Sequence, residues 1–237
     1  MTDPDRRTPA PARPDDSAVD AFLSRVAAMP QGKAAGQRGQ LLFALDATAS
    51  RQPTWDRASH LQADMFSAAA GVGGLEVQLV FYRGFRECKT TPWISDPADM
   101  IRRMTGVTCL GGQTQIYRVL SHALKEGRAK PVNAVVFVGD ACEEDPDPIC
   151  HLAGELGLLG VPVFMFQEGQ DPVARTVFQQ VAKLSRGAWC PFDASSAQTL
   201  KDLLSAVAVF AAGGRKALQH WGKGRSAEVL RLTHQLG

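Results

Sequence analysis

The sequence carries almost no net charge, because its 26 basic side chains face 24 acidic ones and leave a net charge of +2. Proteins that bind nucleic acid or an anionic membrane surface usually carry a clear excess of Lys and Arg. The composition therefore gives no electrostatic reason to expect nucleic acid or a membrane as a partner. Partners have to be inferred from individual sites.

Paired cysteines are also missing. The five cysteines are odd in number and contain no C-x-x-C pair, so neither a zinc knuckle nor a disulfide framework is indicated. We expect them to be small buried hydrophobes in a reducing cytosol. They are Cys88, Cys109, Cys142, Cys150 and Cys190.

Long apolar runs are a third absence. Nowhere do eighteen apolar residues follow one another, and residues 1–16 lack the apolar segment of a signal peptide. We therefore expect the protein to stay in the compartment where it is made, the cytoplasm. No repeat of 20 to 50 residues is visible either, which argues against a solenoid.

The chain divides into three parts by composition. Residues 1–37 combine a Pro-, Asp- and Arg-rich tail that is expected to be disordered, a short helix and a Gly-rich linker. The helix has Val19, Phe22, Leu23 and Val26 on one face. Residues 38–213 form the main domain, and residues 214–237 form a basic amphipathic tail.

The main domain alternates apolar strands with helices of ten to eighteen residues. This pattern predicts an α/β fold in which a doubly wound, mostly parallel sheet has helices on both faces, as in Rossmann-like proteins. In such a sheet, ligands bind at the carboxyl ends of the strands, where the strand order reverses. Asp46 follows the first strand and Asp140 follows a later one, so both should lie at that edge.

Oxygen side chains from three loops should meet at this edge: Asp46, Thr48 and Ser50 after the first strand, Thr114 after a Gly-Gly turn, and Asp140. A hard divalent ion prefers about six oxygen ligands and is usually held by only one or two carboxylates, together with water. Two carboxylates and three hydroxyls match that preference. The sequence therefore predicts a Mg2+ or Mn2+ site.

These motifs resemble the metal-ion-dependent adhesion site of von Willebrand factor type A (VWA) domains, over about residues 40–213. Asp46, Thr48 and Ser50 match the family's D-x-S-x-S, Thr114 its lone threonine and Asp140 its later aspartate. Thr48 replaces the usual middle serine, and Ala141 stands where glycine commonly follows the aspartate. The resemblance implies a protein-binding module rather than an enzyme, with a partner that supplies a Glu or Asp to the metal.

Each part of the motif also has a purely structural interpretation. Asp46 or Ser50 would serve as a helix cap, Thr114 as a cap and Asp140 as a turn residue. The acidic run Glu143, Glu144, Asp145 and Asp147 is either a rim that tunes the site or a solvated loop with a cap at Asp147 before Pro148. The capping interpretation does not explain why three separate loops carry such residues.

Two other functions remain open. The first loop also resembles the nucleophile loop of haloacid dehalogenase-like phosphohydrolases, in which Asp46 would be the nucleophile. That chemistry needs a lysine near the phosphoryl group, and Lys130 is expected at the opposite end of the sheet. Alternatively, the metal site is vestigial and partners bind elsewhere on the same fold.

The C-terminal tail is the most basic stretch of the chain, with five cationic side chains against Glu228 alone. Its apolar residues recur at helical spacing and predict two short amphipathic helices separated at residues 222–224. Either these helices pack on the core, or they dock on a partner with Trp221 as an aromatic anchor.

Overall fold

The computed structural model of the chain describes residues 22, 24–26, 38–192 and 197–235, with most side chains described as far as Trp221. Its strands are β1 (Gly39–Asp46), β2 (Leu75–Arg83), β3 (Glu87–Thr90), β4 (Ala134–Gly139), β5 (Val163–Glu168) and β6 (Ala188–Phe192). Its helices are α1 (Gln52–Ala70), α2 (Pro97–Thr105), α3 (Ile116–Ala129), α4 (Pro146–Leu158), α5 (Pro172–Leu184) and α6 (Ala197–Gln235). A short 3-10 turn, Ala49–Arg51, precedes α1.

The strands form one sheet in the order β3-β2-β1-β4-β5-β6, and every neighbouring pair is parallel except β2 with β3. The chain moves outward from β1 in one direction through β2 and then in the other through β4. The strand order therefore reverses between β1 and β4, which confirms the predicted doubly wound sheet. The carboxyl ends of these two strands flank the crevice where such sheets bind ligands.

The sheet is buried on both faces, because helices cover each side. Leu41, Phe43 and Leu45 of β1 join the core beneath α1, α2 and α6. Leu42 and Ala44 join the second core beneath α3, α4 and α5. Since successive side chains of a strand point to opposite faces, a strand covered on both sides has to be apolar at nearly every position. This explains the unbroken apolar runs in the sequence.

Three helices begin with an aspartate followed by a proline. Asp96, Asp145 and Asp171 accept hydrogen bonds from main-chain N–H groups of α2, α4 and α5, at 3.1, 3.0 and 2.6 Å. Proline suits the first helical position because its missing N–H would have no partner there. The predicted cap at Asp147 before Pro148 is wrong, since the cap is Asp145 and α4 begins at Pro146.

The predicted helix near the N-terminus contributes to the core. Phe22 and Val26 have helical backbone conformation, and their side chains are almost completely buried. The Phe22 ring makes edge contacts with Phe164 and Phe166 of β5, at centroid distances of 6.0 and 5.4 Å. Val19 and Leu23 lie outside the described residues, as do the tail of residues 1–16 and the linker up to residue 37. Burying two large apolar side chains stabilises the fold by about 3 to 6 kcal/mol, as an upper estimate.

Helix α6 departs from the prediction for the tail. Its backbone is helical through residues 222–224, so the predicted separation there is wrong. The interruption lies at Gly214, whose φ of +68° suits glycine because it has no Cβ. Beyond the interruption, Leu218 is buried and Trp221 packs against the core. In the described part of the chain, no helix has the length and apolar character needed to cross a membrane.

Candidate functional site

A pocket of about 200 Å³ opens at the carboxyl ends of β1 and β4. All five of the predicted oxygen-bearing residues line it, so loops that are far apart in sequence meet at the predicted edge. The residues lining the pocket are Asp46, Thr48, Ala49, Ser50, Gly111, Gly112, Thr114, Asp140, Ala141 and Glu143.

The first wall of the pocket is the loop after β1. Asp46 is the last residue of the strand and is 1% exposed, and its Oδ1 accepts a hydrogen bond from the Thr48 N–H at 2.7 Å. Thr48 is buried and Ser50 is exposed. The residues that precede the 3-10 turn and α1 make no side-chain capping bond. The interpretation of Asp46 or Ser50 as a helix cap is therefore wrong.

Burial gives Asp46 an unusual protonation equilibrium. Removal from water raises its pKa to about 6, although the hydrogen bond from Thr48 and the charge of Arg51 act in the opposite direction. Burial also raises the pKa of Tyr82, at the end of β2, well above its ordinary value, and the negative charge of Asp46 raises it further. The Tyr82 hydroxyl has no hydrogen-bond partner among the described residues. Asp46 is therefore a buried carboxylate of the pocket whose negative charge is not fully neutralised by its neighbours.

The second wall is the Gly-Gly loop that leads to Thr114. Gly112 lies so close to the β2–β3 turn that a Cβ there would be 2.1 Å from the carbonyl oxygen of Gly84. The same carbonyl accepts a hydrogen bond from the Gln113 N–H at 3.2 Å. This packing fixes Thr114, which is 5% exposed, at the pocket. The residue that caps α3 is Gln115, without a side-chain bond, so the interpretation of Thr114 as the cap is wrong.

The loop after β4 binds the start of α3 through two carboxylates. Oε2 of Glu143 accepts hydrogen bonds from the Thr114 hydroxyl at 2.6 Å and the Thr114 N–H at 3.1 Å. Glu144 accepts from the Ile116 N–H and, at 3.2 Å, from the Tyr117 N–H. Anionic side chains are favoured there because the first N–H groups of a helix have no internal partner. The solvated-loop interpretation is therefore wrong for Glu144, which is half-buried, whereas Glu143 is exposed to solvent as well as bonded to Thr114.

A buried arginine, Arg51, lies next to the pocket and contacts two carboxylates at the ends of the strands. Arg51 is 2% exposed, forms an ion pair with Glu168 at the end of β5, and places Nη1 3.7 Å from Oδ2 of Asp140. The Thr54 hydroxyl also donates to Glu168, at 2.5 Å. Nε and Nη2 of Arg51 have no hydrogen-bond partner among the described residues. Neither Arg51 nor Glu168 was predicted, although a cation next to the D-x-T-x-S motif and a carboxylate ending a parallel strand were visible signals.

The donor set suits a hard divalent cation. In the part of the chain that the structure describes, no group of three or more His, Cys, Asp or Glu is arranged to hold a metal ion. An ion in this pocket would therefore depend on Asp46 and Asp140 together with the hydroxyls of Thr48, Ser50 and Thr114. Mg2+ accepts such oxygens and keeps several waters. The incompletely compensated charge of Asp46 is consistent with a cation at this position.

Two further predictions concern residues away from the pocket. Lys130 lies at the end of α3, at the opposite edge of the sheet, where its ammonium is 4.1 Å from the ring centroid of Trp93. It cannot neutralise a phosphoryl group on Asp46, as a phosphohydrolase would require. Trp221 is half-buried against the core and does not line the pocket. That packing favours the core interpretation for this part of the tail.

No protein-family model matches the chain, and no curated protein matches it. Solved structures do. An aerotolerance-related membrane protein from Bacteroides fragilis is 17% identical with a TM-score of 0.53, and the match covers 70% of this chain and 98% of that one. A von Willebrand factor type A protein from Catenulispora acidiphila is 14% identical with a TM-score of 0.58, covering 73% of this chain and 43% of that one.

A third similar structure is the von Willebrand factor domain of a type V pilus tip protein from Porphyromonas gingivalis, at 9% identity and a TM-score of 0.55. That match covers 73% of this chain and 96% of that domain. This chain thus spans nearly the whole of two of these structures and less than half of the Catenulispora protein. At such low identity the likeness concerns the fold alone, which is that of VWA domains.

Proposed function

We propose that the chain is a metal-dependent protein-binding module without catalytic activity, which captures an acidic side chain of a partner protein at the β1–β4 pocket. The observation that carries this proposal is the convergence of Asp46, Thr48, Ser50, Thr114 and Asp140 around one pocket. We further propose that it acts in the cytoplasm, where five cysteines without a C-x-x-C pair would stay reduced.

The pocket residues would have two different roles in metal binding. Asp46 and Asp140 supply the negative charge that attracts a cation, and the hydroxyls of Thr48, Ser50 and Thr114 supply neutral oxygens. A ligand set with only two carboxylates leaves a divalent ion with net positive charge, so the bound Mg2+ or Mn2+ would accept a carboxylate oxygen from outside. Thr114 is also the residue at which the chain's own Glu143 carboxylate binds, so a partner carboxylate would compete with Glu143 there.

Metal binding is tested by thermal unfolding in chelator and in Mg2+ or Mn2+. At a concentration 100 times the dissociation constant, an ion that binds only the folded chain stabilises it by about 2.7 kcal/mol, or roughly 5 to 10 °C in Tm. The double variant Asp46→Ala, Asp140→Ala should lose this shift and keep its circular dichroism spectrum. An undiminished shift in the folded double variant would locate the ion elsewhere.

Partner capture is tested separately, with the full chain as bait in the native host. Binding should be lost in chelator and restored by excess Mg2+, and Thr114→Ala should weaken it about as much as chelation does. Gln113→Ala, an exposed position beside Thr114, is the control and should bind normally. Capture that resists chelator would contradict metal dependence.

A vestigial metal site is the second candidate, and one observation favours it. Arg51 already lies 3.7 Å from Asp140, and Glu143 already holds Thr114, so internal groups partly satisfy the site. In that case Mg2+ and Mn2+ at millimolar concentration leave the Tm within about 1 °C of its value in chelator. The same thermal experiment therefore separates the two candidates.

A further inference from the structure

One side of the pocket carries an exposed surface that the proposed capture of a carboxylate does not use. We define the aromatic–basic flank as Phe85, Arg86, Leu110, Tyr117 and Arg118. Phe85 is 74% exposed, and Leu110 and Tyr117 are 44% and 45% exposed. Large apolar side chains with this much exposure, grouped beside a binding pocket and bordered by polar residues, are typical of protein interaction sites.

Hydrogen bonds to main-chain carbonyl oxygens connect this flank to the loops of the pocket. The Leu110 N–H donates to the carbonyl of Ala47, next to Asp46, at 3.0 Å. The Arg118 guanidinium donates to the carbonyl of Arg86 at 3.2 Å and so joins the first turn of α3 to the β2–β3 turn. Because the flank is bonded to the loops that form the pocket, a partner side chain in the pocket would bring the adjoining residues of the partner over it.

Charge is distributed unevenly around the pocket. On the β2 side, Arg86 and Arg118 are exposed and form no ion pair within the described residues. On the β4 side, Glu143, Asp145 and Asp147 are exposed. A partner that carries further negative charge is attracted to Arg86 and Arg118 and repelled by the exposed acids of the loop after β4, and Glu144, whose carboxylate lies at the Tyr117 N–H, weakens the attraction next to Arg118. This difference in charge favours one direction of binding.

We propose that the partner is an extended peptide segment in which the captured Asp or Glu is accompanied, on one side, by a large apolar residue and at least one more acidic residue. The apolar side chain contacts Phe85, Leu110 or Tyr117, and the second acid pairs with Arg86 or Arg118. This inference rests on the proposed function for the captured carboxylate, while the flank determines which acidic segments bind. Exposed aromatic and Arg side chains are the residue types that contribute most to interface energy.

The test is a selection of random twelve-residue displayed peptides on the immobilised full chain in Mg2+. The selected pool should be enriched in Asp or Glu next to aromatic or large aliphatic residues. Individual peptides should bind the variant Phe85→Ser, Arg86→Glu, Arg118→Glu at least fivefold more weakly than the wild type, by fluorescence anisotropy. Since the changed side chains are exposed and the variant also loses the bond from Arg118 to the Arg86 carbonyl, the Tm should fall by at most a few degrees.

Matched controls exist on the same molecule. Lys125→Glu makes the same change of charge as either Arg→Glu substitution alone, on the exposed face of α3, about 10 Å further along the helix from Arg118. Leu158→Ser removes an apolar side chain that is even more exposed than Phe85, at 84% against 74%, and lies at the opposite edge of the sheet. Both controls should bind the selected peptides like the wild type.

The outcomes distinguish the flank proposal from the proposed metal-dependent capture. Peptides that bind the flank variant as tightly as the wild type, or a pool without acidic and apolar enrichment, would overturn the flank proposal. Flank-dependent binding that persists in chelator would support the flank and contradict metal-dependent capture. Self-association of the wild type that is lost in the flank variant, measured by analytical ultracentrifugation, would identify a second copy of the chain as the occupant and overturn the peptide partner.

Discussion

The buried charge of Asp46 leads to a prediction that is opposite in sign with and without metal. Asp46→Asn removes the negative charge but keeps an amide oxygen that can accept the hydrogen bond from Thr48. In chelator, the variant should therefore be more stable than the wild type. In saturating Mg2+ the wild type should gain stability, whereas the variant should gain little.

The magnitude follows from proton linkage. The pKa of Asp46 is raised from an ordinary 3.8 to about 6 in the folded state, so the folded chain binds a proton more tightly than the unfolded chain does. The stabilisation that this proton provides is complete below pH 3.8 and is lost as the pH rises through about 6. At 1.36 kcal/mol for each pKa unit, the ionised carboxylate destabilises the metal-free chain at neutral pH by at most about 3 kcal/mol.

Urea unfolding followed by tryptophan fluorescence, in chelator at pH 7.5 and at pH 4.5, measures this effect. We expect Asp46→Asn to raise the free energy of unfolding by about 1 to 3 kcal/mol at pH 7.5 and by much less at pH 4.5. Asp56→Asn, which changes an exposed carboxylate on α1, is the control and should have little effect at either pH. A destabilised Asp46→Asn variant with no dependence on pH would refute the argument from burial.

Three further predictions concern the loops and the tail. Gly112→Ala should lower the Tm and weaken metal binding, since its Cβ would lie 2.1 Å from a carbonyl oxygen, whereas Gly111→Ala meets no atom within 4 Å and should behave like the wild type in calorimetry. Glu143→Gln should tighten the binding of an acidic peptide in saturating Mg2+ by about twofold to tenfold, because it removes a like charge at Thr114, and unchanged affinity in titration calorimetry would contradict competition. Deleting residues 222–237 should leave metal binding and the Tm nearly unchanged while lowering partner capture, and a large fall in Tm would show that the tail belongs to the core.

The sheet and the position of the pocket could be predicted because they depend on short-range regularities. A strand that is apolar at every position, such as Leu41–Leu45, has to be covered on both faces, and the alternation with helices then implies a parallel sheet. Once Asp46 and Asp140 each end such a strand, the geometry of a doubly wound sheet brings them to one edge. Neither step needs knowledge of a contact between distant residues.

The side-chain contacts that hold the pocket loops in place could not be predicted, because they join segments that are far apart in sequence. Glu143 and Glu144 bind the start of α3, 27 to 29 residues away, and a run of acidic residues in a sequence is usually solvated. Arg51 was missed for a similar reason, since arginine is rarely buried unless a carboxylate pairs with it. That carboxylate is Glu168, 117 residues further along the chain.

The position of the interruption in helix α6 was difficult to predict for a different reason. Both 213–214 and 222–224 contain the glycines that commonly interrupt a helix, and a boundary is predicted at each, whereas the backbone is interrupted at Gly214 and stays helical through 222–224. The packing of Leu218 and Trp221 against the core holds the segment after Gly214 on the domain, and the change in direction occurs at Gly214. Tertiary contacts, rather than local propensity, determine where such a helix breaks.

The charges around the pocket link metal binding to partner binding. The described residues that line the pocket include three carboxylates, Asp46, Asp140 and Glu143, and no cation, while the neighbouring Arg51 is already paired with Glu168. The metal-free pocket is therefore negative and repels the carboxylate that the proposed function requires it to bind. A divalent ion reverses this local charge, and linkage then requires a bound acidic peptide to raise the affinity for the ion by the same factor by which the ion raises the affinity for the peptide. Titration calorimetry of Mg2+ into the chain, with and without a saturating acidic peptide, measures the first factor, and titration of the peptide with and without Mg2+ measures the second. A peptide that leaves the affinity for Mg2+ unchanged would show that the carboxylate and the ion do not meet in this pocket.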